Sequence, residues 1–191
     1  MPAQPLFPVF LKLASRTVVV VGAGKVAASK LARLLEAGAD VHVVAPDIGD
    51  DIERSDVTIV RRQFRPEDLD DAWLVIAAAT PDVNRAVAEA AIPRRVFVNA
   101  VDDPPNATAY LGGVIRRAGV TLAVSTDGRA PALAGLLREG LDVLLPETEL
   151  AEWLSTAERE RQVWREQGVP MHERRPLLLE ALVQRYEKTD R

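Results

Sequence analysis

The run Thr17-Val18-Val19-Val20-Val21, followed at once by Gly22-Ala23-Gly24-Lys25-Val26-Ala27, constrains the fold of this chain more than any other stretch. Four consecutive valines with no polar alternation read as a strand buried on both faces, the habit of a parallel sheet covered by helices. The glycines permit a tight strand-to-helix bend and a close backbone approach to a pyrophosphate, and Ala27 is the small residue where helix meets strand. Downstream, Val26, Ala27, Leu31, Leu34 and Leu35 share one helix face, and Gly38 is placed to stop the helix. Val41-His42-Val43-Val44 opens a second strand, completing a β-α-β unit around a G-x-G-x-x-A loop. The same glycines alone would also serve a ligand-free tight turn. Their setting between two strands points instead to a dinucleotide, bound through Gly22 and Gly24.

At 191 residues the chain holds one ordinary domain and an appendage, not two full domains. It has no cysteine, so disulfides, thiolate metal sites and thiol nucleophiles are excluded, which fits a cytoplasmic setting. The net charge of −4 gives no general affinity for nucleic acid. No apolar run approaches the ~20 residues of a membrane span, and no basic, apolar leader opens the chain. Leu6, Phe7, Val9, Phe10 and Leu11 are too apolar for a free tail and are expected to pack on the sheet. His42 within a strand and His172 in a charged tail make poor metal ligands, and no fixed metal is expected.

Further along, Val57-Thr58-Ile59-Val60 predicts a third strand, Arg65-Pro66-Glu67-Asp68-Leu69 a helical turn, and Trp73-Leu74-Val75-Ile76-Ala77-Ala78-Ala79 a buried fourth strand. Ligands of doubly wound sheets sit beyond the carboxyl ends of the strands, so Thr80 borders the same crevice as Gly22, caps the helix over residues 81–91, or does both. A fifth strand, Arg95-Val96-Phe97-Val98-Asn99-Ala100-Val101, stops at Asp102-Asp103-Pro104-Pro105. Adjacent aspartates before Pro-Pro form turns readily, yet these lie at the sheet edge that carries the glycine loop. Val120-Thr121-Leu122-Ala123-Val124-Ser125 alternates like a strand with one covered face, and a polar loop leads to a leucine-rich helix over residues 132–145. That helix carries more apolar surface than one short segment needs, which suggests a partner chain, although an ordinary core helix would look similar. Residues 151–191 read as two or three amphipathic helices broken near Gly168-Val169-Pro170 and Pro176. The expected architecture is α/β: a Rossmann-like doubly wound parallel sheet over residues 1–110, a small mixed α/β dimerisation and substrate region over 111–146, and a helical segment over 147–191.

Several stretches together resemble the precorrin-2 dehydrogenase / sirohydrochlorin ferrochelatase family, which also forms the N-terminal part of siroheme synthases. They are Leu6-Phe7-Pro8-Val9-Phe10-Leu11, the glycine loop with Ser29-Lys30, Val43-Val44-Ala45-Pro46, Ala77-Ala78-Ala79-Thr80 with Asn84, Asn99-Ala100-Val101-Asp102-Asp103-Pro104, and Ser125-Thr126 with Gly128 and Pro131. The resemblance implies NAD contacts at Lys25, Val26, Pro46 and Asp47, with Asp47 placed near the ribose hydroxyls, and it makes Asp102 the catalytic aspartate. Departures from the family pattern cluster in the presumed substrate region: Ser29 replaces the usual Arg, Tyr110 is a displaced aromatic, Gly112-Gly113 stand where a proline is common, and Ala130 replaces a serine.

The activity so implied is NAD-dependent oxidation of precorrin-2 to sirohydrochlorin, with iron insertion as an alternative. Asp102 would be the base. Thr126 with Arg117 and Arg129 would meet the acetate and propionate groups of the tetrapyrrole, although each arginine is equally readable as a surface charge. A homodimer is expected. A reading from another class is a non-catalytic NAD-sensing module, which would need no reactive polar group at Asp102.

Overall fold

The structure is a computed structural model that describes residues 5–189, with side chains through residue 186. It divides into two compact units, Met1–Leu111 and Gly112–Arg191.

The first unit is built on a parallel five-stranded sheet of β1 (Thr17–Val21), β2 (Asp40–Val44), β3 (Thr58–Val60), β4 (Leu74–Ala77) and β5 (Phe97–Ala100), in the order β3-β2-β1-β4-β5. The sheet grows outward from β1 in both directions. β1 pairs with β2 from Thr17 opposite Asp40 to Val21 opposite Val44, and with β4 from Val18 opposite Leu74 to Val21 opposite Ala77. The reversal of strand order therefore falls between β1 and β4, where a doubly wound sheet opens its ligand crevice.

The valine run is buried because each face of β1 has its own cover. Val18 and Val20 pack with Leu31 and Leu34 of α1 (Lys25–Glu36) and Ile52 of the short α2 (Asp50–Glu53). Val19 and Val21 pack on the other face with Val87, Ala88 and Ala91 of α3 (Pro81–Arg94) and with Leu69 of a 3₁₀ turn, Pro66–Leu69. Val18 to Val21 are each at most 2% exposed.

Two covered faces leave no apolar surface for the N-terminal segment, and here the sequence expectation fails. Phe7, Val9 and Phe10 are 87%, 58% and 72% exposed, and only Leu13 reaches the core.

In the second unit, β6 (Gly113–Arg117) and β7 (Val120–Val124) form an antiparallel hairpin. Ala118 and Gly119 both take positive φ at its tip, the geometry that matches the twist of a two-residue hairpin. Three helices follow: α4 (Pro131–Leu144), α5 (Glu147–Glu166) and α6 (Met171–Thr189). The break near Gly168 is present, with φ of +68° at that glycine. Pro176 does not break α6. It stands in the second turn, where its missing N–H leaves a single carbonyl near the helix start unpaired.

Candidate functional site

The carboxyl ends of β1, β2, β3 and β4 open onto a cleft of about 580 Å³. Among the residues named from sequence, the structure brings Gly22, Pro46, Asp47 and Thr80 together in its lining.

Gly22 leaves β1 with φ of +101°, and a Cβ there would lie 2.3 Å from the carbonyl oxygen of Ala78. Only glycine lets the loop pass so close to the end of β4. Its N–H donates to the Val44 carbonyl at 3.0 Å, and the Gly49 N–H donates to the Ala23 carbonyl at 3.2 Å, so the loop is held from the β2 side as well. Gly24 is the residue from which α1 starts. No side chain caps the helix there, its first turn holds no acidic residue, and a Cβ at Gly24 would meet no heavy atom within 4 Å. An uncapped helix N-terminus with open space in front presents N–H donors and the positive end of the helix dipole, which suits a pyrophosphate. Lys25 and Val26, in the same first turn, are exposed, Val26 to 46%. The residues present therefore fit a nicotinamide dinucleotide.

Thr80 precedes α3 without a side-chain cap bond. The buried Asn84 fixes this corner instead: its Oδ1 accepts the Ala79 N–H at 3.0 Å, and its own N–H donates to the Thr80 carbonyl at 2.9 Å. The Thr80 hydroxyl is thereby left at the cleft.

Asp102 lies one strand further along the same sheet edge and does not line the cleft itself. The Val101 N–H donates to the Ala77 carbonyl at 3.0 Å, which ties the end of β5 to the end of β4. Asp102 then adopts φ of +54°, a left-handed conformation uncommon outside glycine and associated with turns and functional sites. The two aspartates divide their work. Asp103 accepts a hydrogen bond from Asn106 Nδ2 at 2.8 Å and so closes the turn, whereas among the described residues no hydrogen bond or ion pair takes the Asp102 carboxylate. Asn99, buried in β5, donates to the Ala109 carbonyl at 2.9 Å and pins the returning arm of this loop.

Arg117, Thr126 and Arg129 belong to the second unit. Arg117 is engaged there: Nη2 donates to the Asp142 carboxylate at 3.0 Å and Nη1 to the Asp142 and Leu145 carbonyls. It holds the carboxyl end of α4. Thr126 Oγ1 accepts the Ala130 N–H at 3.1 Å, shaping the loop before α4. The Arg129 side chain is 75% exposed and faces Asp127 at 4.0 Å.

Sequence reasoning missed Gln63, Phe64 and Val83, which also line the cleft. The loop bearing the first two also holds Arg62 and Asp68, an ionisable pair whose members shift each other. The Arg62 guanidinium donates twice to the Asp68 carboxylate, once at 2.8 Å, and holds that carboxyl below the ordinary range. The Arg65 N–H, at 2.8 Å, pulls the same way and burial opposes both. Arg62 is raised in turn, chiefly by the same hydrogen bond. Among the described residues no group of three or more His, Cys, Asp or Glu could hold a metal ion, and no helix is long and apolar enough to cross a membrane.

Comparison with known proteins agrees with this geometry. The chain is 38% identical over 174 residues to siroheme synthase 1 of Yersinia pestis, covering 88% of this chain and 37% of the relative. It is 38% identical over 145 residues to siroheme synthase 3 of Aeromonas hydrophila, covering 73% and 31%. It thus spans about a third of the length of the curated relatives it matches. The solved structure of SirC, a precorrin-2 dehydrogenase, superposes with a TM-score of 0.71 at 24% identity, covering 96% of this chain and all of that one, which shows a shared fold. Residues 9–113, more than half of the chain and including the whole sheet and its glycine loop, match the family described as "Putative NAD(P)-binding", and the chain belongs to that family.

Proposed function

We propose that this chain is a cytoplasmic, homodimeric precorrin-2 dehydrogenase that uses NAD⁺ to form sirohydrochlorin. The observation that carries the reading is the pairing, on one sheet edge, of a glycine loop fit for a dinucleotide with an unengaged Asp102 carboxylate. Similarity to siroheme synthases supports the tetrapyrrole substrate.

When bound, the nicotinamide supplies hydride acceptance. The N–H groups at the start of α1 would hold the pyrophosphate, and Gly22 keeps β1 close enough to β4 to shape the floor. Asp47, exposed after β2 and lining the cleft, would meet the ribose hydroxyls, and its charge would disfavour a 2′-phosphate, which supports NAD over NADP. Oxidation of precorrin-2 releases a proton as well as a hydride, and an Asp102 carboxylate oxygen accepts that proton. Exposed Arg129, with Thr126, offers a cation and a hydroxyl to the substrate's carboxylates, while Arg117 contributes by fixing α4. Dehydrogenation is favoured over iron insertion because the dinucleotide cleft serves the first and has no part in the second.

The dimer is supported by α4, where Leu133, Leu136, Leu137, Val143 and Leu144 are between 48% and 80% exposed and only Ala134 is buried. Residues 111–146 supply this face.

The test is steady-state sirohydrochlorin formation from precorrin-2 and NAD⁺, followed by absorbance. General-base catalysis is typically worth about 10²–10⁴-fold, so Asp102→Asn should lose that much turnover with NAD⁺ affinity nearly unchanged, and Asp103→Asn far less. No turnover by the unaltered chain with NAD⁺ bound would favour the sensing module. Near-normal turnover by folded Asp102→Asn would remove Asp102 as the base.

A further inference from the structure

β5 is the outermost strand on its side of the sheet, with β4 as its one strand neighbour. The Phe97 N–H donates to the Trp73 carbonyl at 3.2 Å and the Val101 N–H to the Ala77 carbonyl, so alternate residues of β5 face β4. Val98 therefore turns its N–H and its carbonyl to the outer edge, where a sheet leaves donors and acceptors open to another strand.

That edge is closed from within the chain. The Thr108 Oγ1 accepts the Val98 N–H at 2.8 Å, and the Thr108 and Ala109 N–H groups both donate to the Val98 carbonyl at 2.8 Å. A threonine hydroxyl thus stands where the carbonyl of a next strand would be. Thr108 is exposed, so its side chain contributes an acceptor rather than core packing. The loop it closes is fastened at its start by Val101, and inside it the Asn106 N–H donates to the Asp103 carbonyl at 3.1 Å and the Ala107 N–H to the Pro104 carbonyl at 3.2 Å. Asp102 lies between the Val101 anchor and the 3₁₀ turn Pro104–Asn106. Its left-handed backbone is of the kind that persists only where the surroundings over-determine it.

Resting on the reading of Asp102 as the base, we propose that Thr108 is the positioning residue for its carboxylate: the hydroxyl clamps the return of the β5 loop onto Val98 and so fixes where Asp102 stands. Asn99 reinforces the same end through the Ala109 carbonyl but leaves the Val98 N–H to Thr108. Removing the hydroxyl leaves the N–H of buried Val98 without its acceptor and loosens one end of the loop. A misplacement of about 1 Å at a reacting group can cost about a hundredfold in rate.

Thr108→Val removes the acceptor at nearly constant shape, and Thr108→Ser keeps it. In the full chain, Thr108→Val should lower kcat for sirohydrochlorin formation by about ten- to a hundredfold, with the KM for precorrin-2 and the calorimetric NAD⁺ affinity unchanged. Thr108→Ser should recover most of that loss. Because Thr108 acts through Asp102, Thr108→Val in an Asp102→Asn background should cost almost nothing further. Amide hydrogen exchange, which needs no turnover, should quicken across residues 98–109 in Thr108→Val and not in Thr108→Ser. Thr108→Ala, which sets no methyl against the Val98 N–H, takes the place of Thr108→Val should that variant fail to fold. If Asp102→Asn alone keeps near-normal turnover, the base reading falls and this one with it. If Thr108→Val keeps its kcat, if its loss is as large in the Asp102→Asn background, or if Thr108→Ser loses as much, the positioning role alone is overturned.

Discussion

Gly22→Ala separates the architectural from the ligand-facing glycine of the loop. At Gly22, φ of +101° lies outside even the left-handed helical region, which costs an L-residue about 1–3 kcal/mol. The added methyl would also lie 2.3 Å from the Ala78 oxygen and 2.8 Å from its carbon. Both are backbone atoms that cannot rotate aside, so β1 and β4 must part or the Ala78 peptide must turn, an overpacking term of about 1–3 kcal/mol. The sum is roughly 2–6 kcal/mol, a large share of the ~5–15 kcal/mol that holds a domain folded. In urea, with an m-value near 2 kcal/mol/M, the unfolding midpoint should fall by about 2 M. Gly24→Ala is the control, because φ of −83° and the absence of any atom within 4 Å leave room for a methyl. It should shift the midpoint only slightly, whereas Gly24→Val should leave the chain folded and weaken NAD⁺ binding severely. A Gly22→Ala midpoint indistinguishable from that of the unaltered chain would refute the reasoning.

Asp68→Asn tests the β3 loop through pH. Because Arg62 holds the Asp68 carboxyl below its ordinary value, the stabilisation is complete above the unfolded value near ~4 and is lost as pH falls through the lower folded value. Urea midpoints of variant and unaltered chain should differ at pH 7 and converge under strong acid; a constant gap would contradict the assignment. Asn84→Ala leaves the Ala79 N–H without its acceptor and should cost about 1–3 kcal/mol in thermal unfolding. Leu137→Glu should convert a dimer to monomers in sedimentation, and a compact monomer of the unaltered chain at micromolar concentration would count against the α4 interface.

Those parts of the fold dictated by local pattern were legible. The valine run announces burial on both faces, and Gly22 announces a turn that no other residue makes. The Asp102-Asp103 pair was ambiguous because both residues suit a turn. Only the Asn106 contact to Asp103 separates their roles, and it depends on a loop conformation that spacing does not specify. Gln63 and Phe64 carried no signal, since their place in the cleft follows from β3 lying beyond β2 in the sheet. The N-terminal segment shows the opposite error. Apolar composition demands a surface to pack on, and Phe7 and Phe10 find none where α1 and α3 already occupy both faces.

The sheet order also sets a timetable for the newly made chain. β1 and β2 are joined by a short crossover and can pair early in synthesis, but Val21 meets Ala77 only after three further elements have emerged. Contacts so distant in sequence form slowly. Until β4 docks beside β1 the glycine loop has only one wall, so capture of a dinucleotide marks the arrival of the strand pairing most distant in sequence. In a refolding experiment, the recovery of NADH fluorescence should therefore lag behind the recovery of helical circular dichroism.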